Sequence, residues 1–338
     1  MQILQNTSLR GYNTFGLEVR ADWFAEVRSV DDLIGLVRDP KFQPMPKMIL
    51  GGGSNVLFTG DVHALVIYNK ILGKSLRPDG DDHFLVTAGG GETWHELVKY
   101  SIEHSCGGIE NLSLIPGSAG AAPIQNIGAY GVELKDHFHE LEAIDLTSGD
   151  VRVFNKEDCA FGYRDSVFKR SEKGKYLIAS ITLRLDRHHR VRTHYGAIEQ
   201  ELSKMGILNP GIRDVSEAVI RIRSSKLPDP AVIGNAGSFF KNPEVSQEDY
   251  DRLHALFPDL IAYPGASGKM KLAAGWLIEK AGWKGKRLGN VGMHEKQALV
   301  LVNYGGATGK ELIEHARRVQ QHVQDQFGVL LEMEVNIL

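Results

Sequence analysis

The chain has 338 residues, 42% of them hydrophobic and 24% charged, with a formal net charge of −3. That balance belongs to a globular protein of two or three domains with enough apolar surface for a large core. It excludes bulk nucleic-acid or membrane-surface binding, which needs a strong basic excess, and no apolar run is long enough to span a bilayer. In chain order, the N-terminus MQILQNTSLRGYNTFG lacks a cationic start followed by an apolar core, so no secretory leader is expected. Ser29 and Asp32 open a short helix that stops before Pro40. Residues 47–50 read as a strand running into Gly51, Gly52, Gly53, Ser54 and Asn55, and residues 65–68 and 84–88 read as further strands. Thr93 and Glu96 spell a capping box that opens a helix through His104, closed by Gly107.

Residues 141–147 and 151–155 flank Ser148-Gly149-Asp150, a hairpin signal. In residues 176–185 the apolar Leu177, Ala179, Ile181, Leu183 and Leu185 alternate with a second face, which predicts a strand. Residues 187–192 are polar and basic, and the prolines of residues 223–230 mark a boundary. Residues 271–280 predict a helix ending at Gly282. Residues 310–327 predict a longer one, with Leu312, Ile313, Ala316, Val319, Val323 and Phe327 on one stripe and Gly328 as its stop. Residues 331–338 alternate again, as a strand. The fold class expected is α+β, with more strand than helix in the first half.

Cys106 and Cys159 stand in no C-x-x-C or metal-ligand spacing and read as ordinary reduced thiols of a cytoplasmic protein. The histidines, including His188, His189, His194 and His294, form no ligand grouping, so no metal is expected.

The most informative stretch is residues 113–131, SLIPGSAGAAPIQNIGAYG. Its glycines and alanines are too dense for an ordinary core, and they surround a Gln125-Asn126 pair. Bare backbone amides in such a run suit a flat, large, anionic ligand such as a dinucleotide. The plain alternative is a long irregular surface loop. Residues 50–58, LGGGSNVLF, do not fit a Rossmann motif, because no third glycine in register and no helix start follow. A glycine-rich turn between two strands can still cradle a diphosphate, and a tight structural turn explains it equally well.

Taken together, LGGGSNVLF, LIPGSAGAAPIQNIGAYG, FGYRDSVFK (161–169) and GNAGSFFKNP (234–243) resemble the UDP-N-acetylenolpyruvylglucosamine reductases, flavoenzymes of peptidoglycan precursor synthesis. The matching blocks span nearly the whole chain in the family's order. Residues between Arg190 and Lys226, marked by Tyr195, resemble the form with an added substrate-covering insertion. The resemblance implies a two-lobed FAD-binding domain of the vanillyl-alcohol-oxidase (PCMH) type and a smaller α+β substrate domain. The lobes would be residues 1–72 and 73–227, the second joined by the strand at 328–338, with the substrate domain at 228–327.

It also implies that FAD is held, chiefly by backbone, at Gly51, Gly52, Gly53, Ser54, Asn55, Ser118, Gln125, Asn126, Gly128, Ala129, Gly131 and Ile178. The turn offers no histidine for a covalent link, so the FAD is expected to be non-covalent. NADPH is the implied hydride donor and a UDP-sugar the substrate. The family's catalytic positions match Arg164, Ser238 and Glu334, and its substrate contacts match Tyr195, Lys226, Asn242 and Gln297. A monomer without nucleic-acid or membrane partners is expected.

Each residue also has a plainer reading. Arg164 reads as a surface arginine paired with Asp165, and Ser238 as a helix cap or turn serine. Glu332 and Glu334 read as solvated carboxylates on an edge strand, Lys226 as a loop lysine and Gln297 as a strand-edge polar residue. In the reductase reading, an arginine fork grips a carboxylate through two parallel hydrogen bonds. A serine that protonates carbon needs cations to steady its alkoxide, and Lys226 and Lys241 are in sequence reach. Met333 and Asn336 depart from the family's usual pattern at the last strand. Two other readings stay open: an oxidase or dehydrogenase of the same flavin fold with another substrate, and a non-catalytic nucleotide-sugar binding protein.

Overall fold

The computed structural model describes residues 1–265 and 268–338. Helices and strands alternate irregularly along it, an α+β arrangement, and the chain divides into two compact units. The first comprises Met1–Thr7, Ala21–Gly52 and Val62–Ser225, and the second Ser8–Arg20, Gly53–Asp61 and Lys226–Leu338.

Besides the small pair Gly128–Ala129 and Val132–Glu133, the first unit contains two larger sheets. In one, the strands Gln2–Ser8, Arg20–Val27, Val62–Asn69 and Lys47–Leu50 lie side by side in that order, the last three parallel. The connecting helix Val30–Arg38 starts where Ser29 accepts a hydrogen bond from the Asp32 N–H, and it buries Leu33, Leu36 and Val37. These side chains pack with Ala25, Val27, Leu65 and Ile67 beneath the sheet. The other sheet is antiparallel, in the order Val151–Asn155, Phe138–Asp145, Tyr176–Asp186, His83–Gly89 and Lys74–Asp79. The alternation of residues 176–185 becomes its central strand, and its buried face is continued by Leu141, Val86, Trp94 and Leu97.

Two expectations are corrected here. Thr93 makes no side-chain cap to the helix Trp94–Glu103. It pairs instead with Ser118 as a β-bridge, and Glu96 turns outward to Lys99 at 3.1 Å. The run 113–131 is packed: it winds into the 3₁₀ segment Ala119–Gln125, where Ala119, Gly120, Ala122 and Pro123 are buried. Its small residues allow two backbones to touch, since a Cβ on Gly120 would lie 2.9 Å from the Ile178 carbonyl oxygen. The helices Gly196–Lys204 and Ile212–Lys226 were not foreseen. They form a satellite core of Ile198, Leu202, Val215, Ala218, Val219 and Ile222.

In the second unit the strands Gly234–Ser238, Val300–Asn303, Val291–Met293 and Arg287–Leu288 form an antiparallel sheet. The helix Gly309–Phe327 opens with a Thr308–Glu311 capping box and ends at Gly328 (φ 69°), with the expected stripe buried. Residues 271–280 divide into a strand, Met270–Leu272, and a shorter helix, Ala274–Lys280. Residues 328–338 group with this unit and not with 73–227. Asn336–Ile337 pairs in parallel with Val56–Leu57, and Met333 bridges Phe240. Both contacts draw the segment to residues of the second unit.

Candidate active site

The glycine-rich turn follows the strand Lys47–Leu50 directly. A Cβ on Gly51 would sit 2.4 Å from Ser118 Oγ, and one on Gly52 would sit 3.0 Å from Gly117 Cα, so this turn and the Ser118 loop touch through bare backbone. In the second unit Gly53 has φ +62°, and its Cβ would fall 2.0 Å from the Tyr12 carbonyl oxygen; no other residue type fits. The amides of Gly51 and Gly52, and in the second unit those of Gly53 and Ser54, have no acceptor among the described residues. Consecutive unspent N–H groups suit the diphosphate of a dinucleotide cofactor.

Seven of the described non-glycine residues of the first unit hold left-handed backbone, among them Leu114 (φ 57°), Asn126 (43°), Tyr130 (50°) and Arg164 (52°). Such strain persists only where the surroundings impose it, and it concentrates at functional sites. Asn126 is fully buried. Its Nδ2 donates to Gly162 O (2.9 Å) and Glu133 Oε2 (3.1 Å), and its Oδ1 accepts from Lys135 N (3.0 Å). It therefore latches the 126–135 loop to the segment that carries Arg164. Arg164 Nη2 donates to Gly128 O at 2.7 Å, while Asp165 pairs with Arg170 at 3.3 Å, so the plain Arg164–Asp165 pair does not form. Gly128–Ala129 is a short strand that turns at Gly131 (φ 80°). Gln125 ends the 3₁₀ segment, and Ile178 is a core side chain whose carbonyl accepts from Asn69 Nδ2 at 2.9 Å.

Arg223 is a residue that sequence reasoning missed. Its Nε donates to Leu114 O at 3.2 Å, and it bonds the Tyr130 hydroxyl. Burial, with the nearby Arg164 charge, pulls its pKa below the usual arginine range, and Tyr130 opposes this. The described ion pairs include no carboxylate for Arg223. Tyr195 stands edge-on to Tyr130, with ring centroids 5.7 Å apart, and is half exposed. The first unit thus gathers Arg164, Arg223, Tyr130 and Tyr195, a grouping suited to an anionic ligand with an apolar face. The only sequence cue to Arg223 was its place just before Lys226 in the RSSKLPDP boundary.

In the second unit Ser238 follows a strand irregularity between Asn235 and Ser238, with Gly237 at φ 69°. Bulges of this kind re-aim a side chain. The Glu334 N–H donates to the Phe239 carbonyl at 2.8 Å and the Lys241 N–H to the Glu332 carbonyl at 2.9 Å, so residues 239–241 and 332–334 run side by side. This brings the Glu334 segment next to Ser238. Lys241, one of the two cations in sequence reach of Ser238, is ion-paired through Nζ with Glu332, a carboxylate 72% exposed. Asn242 Oδ1 accepts from Ala274 N at 2.9 Å, and Gln297 Oε1 lies 3.5 Å from where a Cβ on Gly275 would be, so both sit at the start of Ala274–Lys280. Lys226 is exposed at the end of Ile212–Lys226. A cleft of about 470 Å³, lined among others by Arg10, Thr14, Val232 and Tyr304, holds none of these residues.

Cys106 and Cys159 are buried, and burial pushes their thiols up to about 11 and about 12, which keeps them protonated and unreactive. Among the described residues no group of three or more His, Cys, Asp or Glu could hold a metal ion.

Comparison with known proteins decides the family. Over 337 residues, 100% of this chain and 99% of the relative, it is 50% identical to UDP-N-acetylenolpyruvoylglucosamine reductase of Pseudomonas aeruginosa. The chain belongs to the UDP-N-acetylenolpyruvoylglucosamine reductase family. It is also 47% identical to the reductase of that name from Flavobacterium johnsoniae, with 100% of each covered. Residues 229–338 match the C-terminal domain of UDP-N-acetylenolpyruvoylglucosamine reductase, and residues 21–155 match the FAD binding domain family. The crystal structure of the Thermus caldophilus reductase of this family shares the fold, with a TM-score of 0.68 at 22% identity and with 99% of this chain and 98% of that chain covered.

Proposed function

We propose that this protein reduces the enolpyruvyl group of UDP-N-acetylglucosamine enolpyruvate to give UDP-N-acetylmuramate, in the cytoplasm, as a step of peptidoglycan precursor synthesis. The full-length identity of 50% to a reductase of that name carries the reading. The unspent amides of the glycine-rich turn and the small-residue Ser118 loop fit non-covalent FAD. Bound FAD would supply the hydride chemistry, with NADPH as the hydride source and the terminal carbon of the enol ether as the acceptor.

The protein's own residues hold the substrate and manage its charge. Arg164 grips the carboxylate, into whose oxygens the charge left on the adjoining carbon spreads as an enolate, so its fork acts most strongly in the transition state. Ser238 gives its hydroxyl proton to the carbon that bears the carboxylate. Glu334, held one backbone bond from the residue after Ser238, polarises the reacting group. Tyr195, Lys226, Asn242 and Gln297 take the UDP-sugar. Ser54, Asn55, Gln125, Gly128, Ala129, Gly131 and Ile178 complete the cofactor contacts, chiefly by backbone. Residues 1–72 and 73–227 serve as flavin lobes, residues 228–327 serve the substrate, and the protein works as a monomer.

A visible spectrum tests the proposal. The purified protein should be yellow, bleach with NADPH and recover on addition of the enolpyruvyl sugar. A colourless preparation that FAD cannot reconstitute would overturn it. Bleaching without recovery would transfer the protein to another substrate, and rapid re-oxidation by oxygen with an alcohol substrate would make it an oxidase.

A further inference from the structure

Within the second unit the last residues close onto the glycine-rich turn. The Asn336 backbone N–H donates to the Asn55 carbonyl oxygen at 3.1 Å, and the Asn336 side chain donates to that same oxygen at 3.0 Å. Asn55 answers through its own side chain, which donates to the Glu334 carbonyl at 3.5 Å. Beyond this exchange, the Leu338 N–H donates to Leu57 O at 2.9 Å, and Thr59 donates to Leu338 O through its N–H (2.7 Å) and hydroxyl (2.8 Å). Glu334 is therefore tied on one side to Phe239, next to Ser238, and on the other to Asn55 of the turn. A carbonyl oxygen has two lone pairs, and Asn336 fills both on Asn55.

We propose that Asn336 is a positioning residue: its side-chain amide fixes the Asn55 peptide, and through Asn55 it sets both the amides of the turn and the placement of Glu334. The proposal rests on the flavoenzyme reading. Asn336 is exposed and packs against little, so its loss costs the fold only the bond itself, whereas a small displacement of Glu334 or of the turn reaches the chemistry. The Asn336 backbone bond remains in any variant, so substitution isolates the side chain.

The test uses the whole protein in four forms: wild type, Asn336→Asp, Asn336→Ala and Asn336→His. Aspartate keeps the shape but loses the donor; histidine keeps a donor at the same point of the side chain. Three quantities are read: the FAD dissociation constant by flavin fluorescence titration of the apoprotein, the rate at which the enolpyruvyl sugar re-oxidises the reduced enzyme, and the melting temperature. Asn336→Asp and Asn336→Ala should bind FAD about tenfold more weakly and slow re-oxidation about ten- to a hundredfold. Their melting temperatures should stay within a few degrees of wild type, and Asn336→His should recover most of both losses. Unchanged FAD binding and re-oxidation would overturn the proposal, as would losses that follow melting temperature and are not rescued by histidine. A wild type that binds no FAD would remove the flavoenzyme reading and the proposal with it. A yellow, active wild type indifferent to residue 336 removes the proposal alone.

Discussion

Glu334 donates its backbone N–H to the carbonyl of Phe239 at 2.8 Å. A carboxylate-bearing segment is thereby fixed beside Ser238, although nearly a hundred positions of sequence separate the two. Glu332, two residues earlier, pairs with Lys241.

That contrast separates two glutamates that the sequence left nearly equivalent. Glu334→Gln should lower the rate of flavin re-oxidation by the enolpyruvyl sugar by about a hundredfold, in the range of a lost acid–base or polarising group. Glu332→Gln breaks only an ion pair with one largely exposed partner, worth about 0–1 kcal/mol. Its re-oxidation rate should stay within a few-fold of wild type. Single-turnover traces of both variants decide the point; the opposite ranking would place the chemistry at Glu332.

Ser238→Ala should leave reduction by NADPH near normal while slowing re-oxidation by about 10²–10⁴-fold, the usual contribution of a positioned proton donor. Stopped-flow absorbance separates the two halves. An equal loss in both would mean that the bulge at Gly237 and Ser238 had been disturbed, with no proton donor removed.

Arg164→Lys keeps the charge but loses the planar fork and the Nη2 bond to Gly128 O. It also keeps the left-handed backbone, since lysine carries a Cβ as arginine does. A bond made by a charged group is worth about 1.5–3 kcal/mol, so kcat/KM for the enolpyruvyl sugar should fall at least tenfold. Steady-state turnover near wild type would exclude the two-pronged grip.

His315 predicts an acid limb in stability. It is 4% exposed in the helix Gly309–Phe327, edge-on to Trp283 with centroids 5.2 Å apart, and its Nε2 has no partner. Burial, reinforced by Arg318 and Lys286, lowers its pKa from 6.5 to about 4. Below 6.5 the unfolded chain takes up a proton that the folded chain refuses. This contribution is therefore complete above about pH 6.5 and drains away as pH falls to about 4. By linkage the loss is about 3 kcal/mol. Urea midpoints of wild type and His315→Phe, measured from pH 4 to 7, should diverge towards acid, with the wild type the steeper. Parallel profiles would refute it.

The elements legible from sequence were those whose pattern is local. The Ser29 cap, the stripe of Gly309–Phe327 with Gly328, the hairpin around Gly149 and the alternation of residues 176–185 all carry their signal within a few positions. Thr93 misled because the capping-box pattern is satisfied only if no distant partner competes, and Ser118 does. The 113–131 run was legible only in part. Small residues mean close approach, but not to what, and part of the answer is the Ile178 backbone.

For the site, family resemblance is what proposes the blocks around Arg164, Ser238 and Glu334. Arg223 was not, because its meaning comes from Tyr130 and Leu114, each about a hundred positions away. Lys241 stood close to Ser238 in sequence, but its ammonium is occupied by Glu332, which pairing alone could reveal.

The bond between Asn336 and Asn55 joins positions 281 residues apart. Ribosomes make proteins in one direction, so the glycine-rich turn is made 281 positions before its closing partner exists. A nascent chain halted between the turn and Glu334 would carry the turn without Glu334 and without the strand that holds it. Any such truncated product should therefore be both inert and poor at retaining its prosthetic group.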